Sequence, residues 1–276
     1  MNKRDCDYAN RGWYPSNKKD LHKMIESFPK SISKKSAIGG ISPHAGYFFS
    51  GKCANKLYSA VDLPENILVL SVSHHGHFDY LPLFPDGAWK TPLGELPINA
   101  ELNAALLTIP DVKEDAEAHN DEHSGEIQLP FIKYYKPDAK ISVINIGLSP
   151  LYHLGETSYE KIQEFGENIG TAIKNFGKDV FIVASSDMSH ETGKQNTLSQ
   201  DKHVLEVLPM FDTQAMYNVL VKNRISMCGG IPALVMMIAA RQLHATKSEI
   251  VEYYTSADIT GDSEGYTVGY CSALIS

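Results

Sequence analysis

Apolar and polar positions fall in blocks along this chain. Four apolar runs read as strands: 37–42 (AIGGIS), 67–73 (ILVLSVS), 140–146 (KISVINI) and 180–186 (VFIVASS). Between the first two, Cys53, Ala54, Leu57, Tyr58 and Val61 fall at helical spacing and predict a helix over 51–61. Two strands joined by one short crossover helix imply parallel pairing and a right-handed connection. A long helix over 158–175 returns the chain to the run at 180–186, a second crossover. Further helices are predicted over 18–28, 99–108, 197–208, 213–222 and 232–243. An edge strand is expected near 80–84, followed by a turn at Pro85-Asp-Gly87. Two closing strands, 249–255 and 266–274, are joined by the turn-rich DITGDSEG. No repeat of solenoid period and no low-complexity linker interrupts the pattern. The expected fold class is α/β, a single domain over 1–276 with a central, mostly parallel sheet flanked by helices.

Composition narrows the function classes. The 276 residues are 43% apolar and 21% charged, as in ordinary soluble proteins, and suffice for a substantial core. A net charge of −8 argues against nucleic-acid binding, which needs a basic face to neutralise phosphates. No apolar stretch approaches bilayer-spanning length, and the first residues lack the apolar core of a signal peptide. A cytoplasmic protein without membrane contact is therefore expected. Cys6, Cys53, Cys228 and Cys271 show no CxxC spacing, so neither a zinc finger nor a disulfide framework is suggested.

The chemistry gathers where strands end. The runs at 37–42, 67–73 and 180–186 lead directly into Pro43-His44, His74-His75 and Asp187-Met-Ser-His190. In an open α/β sheet the carboxyl ends of parallel strands face one crevice, so these side chains should converge. A histidine stands where the dinucleotide fingerprint GxGxxG has its first glycine, which excludes that reading. His44 and His74 on neighbouring strand ends point to metal coordination, since neutral imidazole is the commonest metal-binding side chain. Successive residues of an extended chain face opposite ways, so only one of His74 and His75 can enter the crevice. His74 is favoured, and His77 is read as a surface or supporting residue.

Other positions keep alternatives open. Asp187 reads as a helix N-cap, a ligand, or a carboxylate orienting a ligand histidine. His190 reads either as part of a first helical turn or as a general acid/base. Cys228 precedes an apolar helix that Pro232 would start well, and a helix N-terminus favours thiolate, hence a ligand or nucleophile. A small buried hydrophobe is the alternative. His123 and Glu126, three apart on one helix face, could bind substrate, support a ligand or cap their helix. Trp13 and Tyr14 either anchor the N-terminal arm or enter the pocket.

The strings PHAGYFFSG, VSHHGHF, EHSGEIQLPF, SSDMSH and MCGG, in this order, resemble the Memo family (mediator of ErbB2-driven cell motility). Its prokaryotic members are also called AmmeMemoRadiSam system protein B. RGWYP, TPLGELPI and GYTVGYCSAL extend the resemblance over nearly the whole chain, which it makes one Memo-like domain. The resemblance implies a fold like the class III extradiol (LigB-like) dioxygenases and a metal pocket of His44, His74 and Cys228. Asp187 and His190 would be its catalytic residues, with His123, Glu126 and Tyr47 binding substrate. A cysteine where the dioxygenases have a carboxylate shifts preference towards copper(I), zinc or a differently tuned iron. Iron or copper, with zinc third, is the expected cofactor. The expected activity is redox or dioxygenase-like, on a small-molecule or peptide ligand in the metal pocket. Radical-SAM and AMMECR1-like proteins are the expected partners. A non-catalytic binding or adaptor module and a metal-dependent hydrolase remain as alternatives.

Overall fold

Alternate residues of the central strands feed two separate cores. The computed structural model describes residues 3–147 and 156–276. In it the four apolar runs become β2 (Gly39–Ser42), β3 (Asn66–Val72), β8 (Lys140–Ile146) and β9 (Val180–Ser185). They pair in parallel in the order β2-β9-β3-β8. Leu68, Leu70, Ile144, Ile146, Ile182 and Ala184 enter one core, while Ile67, Val69, Ile141, Val143, Phe181 and Val183 enter the other. Both faces of each strand are thus buried, which is why the runs lack polar alternation.

Helices cover both faces. The first core is roofed by α4 (Ala100–Leu106), α7 (Tyr159–Phe176), α8 (Lys194–Val207), α9 (Thr213–Asn223) and α10 (Gly230–Gln242). The second is covered by α1 (Asp7–Asn10), α2 (Lys18–Ser27), α3 (Tyr47–Ser59) and α6 (Leu129–Tyr135), with the short α5 (His123–Glu126) against β3. α10 is buried nearly all round, as its run IPALVMMIAA demands.

The parallel centre has antiparallel flanks, so the sheet is mixed. On one side β12 (Tyr266–Ile275) runs antiparallel to β2 and carries both β10 (His190–Thr192) and β11 (Ser248–Thr255). On the other, β4 (Leu81–Leu83) is antiparallel to β8 and takes β7 (Val112–Glu114) in parallel. Among the described residues this sheet has nine strands. A small second sheet joins β1 (Lys3–Arg4) to the hairpin of β5 (Ala88–Thr91) and β6 (Gly94–Pro97). Together these elements make one α/β domain. No described helix is long and apolar enough to cross a membrane.

Several boundaries differ from expectation; α8 begins at Lys194 and α10 at Gly230, ahead of 197 and 232. The helix predicted over 51–61 starts at Tyr47, because the Trp13 carbonyl accepts the Tyr47 N–H (2.8 Å) and so caps its first turn. The connection between the closing strands contains α11 (Ser256–Thr260), fixed by a capping box of Thr255 and Asp258.

Candidate metal centre

β2, β9 and β3 lie side by side and end on the same edge, so Pro43-His44, Ser186-Asp187 and Ser73-His74 emerge together. Cys228 arrives from the turn that leads into α10. The glycine after it allows this: a Cβ on Gly229 would lie 2.3 Å from the Ser185 carbonyl oxygen and 2.5 Å from the Ser186 Cβ. The Gly229 N–H donates to Ser186 Oγ (3.0 Å), and Cys228 Sγ sits 3.2 Å from His44 Nε2. Ligand atoms of His44, His74 and Cys228 all fall within 4.8 Å of one another.

Hydrogen bonding fixes which ring nitrogens carry protons. Ser185 Oγ has one hydrogen and gives it to the Ser124 carbonyl (2.7 Å), while the Gln128 amide donates to the same oxygen (2.8 Å). The remaining contact, from His44 Nδ1 (2.9 Å), is therefore donated by the ring, and Nε2 presents its lone pair to Cys228. His74 is held likewise. Glu122 accepts its backbone N–H (2.7 Å) and its Nδ1–H (2.9 Å), leaving Nε2 for a ligand. Burial opposes ionisation of Glu122, but the His74 hydrogen bond, the neighbouring His74 and His123 imidazoles and the Ser124 N–H hold it well below the usual carboxylate range.

The electrostatics suit a cation-binding cluster that is kept neutral. Burial, reinforced by His74, pushes His44 well below the ordinary imidazole value. Burial, then His44 and His74, takes His123 down to about 3. Cys228 departs from the thiolate expected at a helix N-terminus: burial, and then Asp187, push its thiol well up. The helix end is outweighed because Cys228 lies ahead of the N-cap, Gly229, and is only 7% exposed. Its S–H donates to His44 Nε2. A metal ion bound there would replace that proton, since coordination deprotonates a thiol.

The other expected site residues separate. Asp187 caps no helix; its Oδ1 accepts the His44 N–H (2.8 Å) and so orients the His44 loop, and burial raises its pKa. His190 opens β10 instead of a helical turn, and its Nδ1–H donates to the Ser226 carbonyl (3.0 Å). Asp187, His190, His123, His44 and His74 line a cavity of about 580 Å³. Glu126 and Tyr47 do not. Glu126 turns into the protein to accept from Arg4 Nη1, the Tyr8 N–H and the Tyr14 hydroxyl, each at 2.8 Å. Tyr47 stacks on Phe131 and donates to the Ile127 carbonyl. Both make structural contacts, and Tyr47 also lines a second, smaller cavity. His75 and His77 are exposed.

Sequence reasoning missed Glu122 and Ser185, although Glu122 stands directly before His123 in EHSGE. It also left the N-terminal pair undivided: Trp13 lines the cavity with its ring 4.6 Å from that of His123, whereas Tyr14 is the anchor, 2% exposed. Arg11, Phe48, Phe49 and Tyr266 complete its mouth.

The fold and cluster define an α/β protein with two oriented imidazoles and a thiol at the carboxyl edge of a parallel sheet. Comparison gives the family: residues 8–274 match the model of the Memo-like proteins, and the chain belongs to the Memo family. It is similar to a MEMO1 family protein of Aquifex aeolicus, 34% identical over 255 residues and 91% of each chain. A MEMO1 family protein of Desulfurococcus amylolyticus is 32% identical over 277 residues and 94% of each chain. The fold is also that of an uncharacterized Escherichia coli K12 protein of known crystal structure, with a TM-score of 0.56 at 16% identity, covering 86% of this chain and 99% of that one.

Proposed function

We propose that this protein binds a transition-metal ion through His44, His74 and Cys228 and uses it in redox or dioxygenase-like chemistry on a ligand held in the adjoining cavity. The observation carrying this reading is the pair of fixed Nε2 lone pairs beside a buried thiol. Two nitrogens and a sulfur suit iron, copper or zinc in place of magnesium or calcium. Iron or copper bound there would supply electron transfer and Lewis acidity.

The chain's own groups support the ligand. His190, oriented by its Nδ1–H bond to the Ser226 carbonyl and lining the cavity, is the side chain we assign to proton exchange with a bound hydroxyl. His123, held neutral, offers hydrogen bonding without adding charge. Trp13, Phe48 and Phe49 give the cavity an apolar wall against which the body of a ligand can pack.

The test is metal analysis of tag-free protein beside His44→Ala, His74→Ala and Cys228→Ser, with oxygen uptake followed after anaerobic loading with iron(II) or copper(I). Each variant should lose most bound metal; equal content in all four proteins would refute the site. A binding-module reading is favoured by the exposed aromatics at the cavity mouth. It predicts metal binding without oxygen uptake and with partner binding unchanged in Cys228→Ser.

A further inference from the structure

A second cavity, about 430 Å³, opens beside the metal pocket, and Phe48 lines both. This second cavity is lined by Met24, Phe28, Phe48 and Ile259, and by the exposed Lys23 and Lys52 at its rim. Neither lysine has an ion-pair partner among the described residues. Asp20 shares the rim but is engaged by the Asn17 amide (2.7 Å), so two cations face one acid that already has a hydrogen bond.

The apolar surface between the cavities is unusual for this molecule. Among the described residues six large apolar side chains remain in water, and three of them, Phe48, Phe49 and Tyr266, stand at the metal pocket. Phe48 alone is 65% exposed. Such clustering beside a cavity marks a surface that a ligand covers. Apart from the charged groups at its rim, the hydroxyls lining the second cavity are already used: Ser27 donates to the Met24 carbonyl and Tyr47 to the Ile127 carbonyl. A peptide laid there would find few partners for its N–H and C=O groups, whereas a hydrocarbon body needs none.

We infer that the ligand of the metal pocket is an elongated amphiphilic carboxylate: a compact reacting end among the histidines, an apolar body over Phe48, and a carboxylate at Lys23 and Lys52. Only the reacting end depends on the metal-site reading; the body and the carboxylate rest on the second cavity.

Calorimetric titration of metal-stripped protein with 8-phenyloctanoate, 3-phenylpropanoate and 8-phenyloctan-1-ol tests this. The long acid should bind at least about tenfold tighter than either other probe, a difference of roughly 1.4 kcal/mol. Lys23→Glu combined with Lys52→Glu should abolish the preference for acid over alcohol. Phe48→Ala should weaken the long acid and leave the short one unchanged. Equal affinity for the three probes, or a preference that survives charge reversal, overturns the inference. The same titration on His44→Ala/His74→Ala protein separates the two claims, because the preference should persist there even if no metal ever binds.

Discussion

Glu122 and Ser185 decide the chemistry of two imidazoles by choosing which nitrogen keeps its proton. Glu122 also accepts the Ser124 N–H (2.8 Å) as the N-cap of α5, so one carboxylate both starts a helix and aims a ligand. Glu122→Gln keeps the shape but loses the charge that fixes the His74 tautomer. Metal affinity should fall about 10–100-fold, measured by competition with a chromophoric chelator. Ser185→Ala should act on the other ring, leaving His44 Nδ1–H without its acceptor at a cost of about 1–3 kcal/mol. An unchanged affinity and melting temperature in both variants would mean the rings are held by packing alone.

At the scale of elements, the site depends on two connections that are locked from behind. The loop carrying Asp187 and His190 is held through Ser189, whose N–H (2.8 Å) and Oγ–H (2.5 Å) both donate to the buried Asp201 of α8. Tyr253 of β11 donates to the other oxygen of that carboxylate (2.7 Å). The Ser189 hydroxyl can turn to the Thr197 carbonyl (3.3 Å), so Asp201→Ala strands two donors, the Ser189 N–H and the Tyr253 hydroxyl, and the chain should lose about 1–3 kcal/mol for each. The turn into α10 is locked by close approach. Gly229→Ala would drive a Cβ into the Ser185 carbonyl, which sits in a central strand end and cannot retreat. A cost of about 1–3 kcal/mol is expected, with loss of metal because Cys228 is displaced. Thermal melts read the first effect and metal content the second; a native melt with full metal would contradict this account of the turn.

For the whole molecule, the N-terminal strand and α5 are tied through a buried polar layer that makes stability depend on pH. Arg4 donates to the carbonyls of His119 (3.1 Å) and Glu122 (2.6 Å) and pairs with Glu126. His119 lies fully buried beside this guanidinium, among Phe84 and Trp89. Burial, then the Arg4 charge, lowers it from 6.5 to about 3. The folded protein thus keeps His119 neutral while the unfolded chain takes up a proton below about 6.5. Its contribution is full above that pH and is lost as pH falls towards about 3, at roughly 1.4 kcal/mol per pH unit. His123 and His44 act with the same sign. Urea unfolding of His119→Phe between pH 6.5 and 4.5 should show a slope shallower by about that amount. A slope equal to the parent's would show that His119 is not neutral in the fold.

The sequence by itself determined the four central strands, the crossover helices α3 and α7 and the edge on which the strands end, because those depend on local period and on the direction of βαβ crossovers; α6 was not among the expected helices. His44 and His74 were legible for the same reason: each follows its strand within two residues. What lies behind them was decided only by tertiary structure. Glu122 lies 48 positions from His74 and Ser185 lies 141 from His44, so no window of sequence brings those pairs together. Glu126 could not be sorted from His123 by helical spacing either, since four residues of helix fix a shared face but not which neighbour fills it. The thiol of Cys228 followed the same rule. Its helix end was visible in the sequence, but burial against Asp187, which outweighs that end, appears only once the sheet, the loop and α10 have packed together.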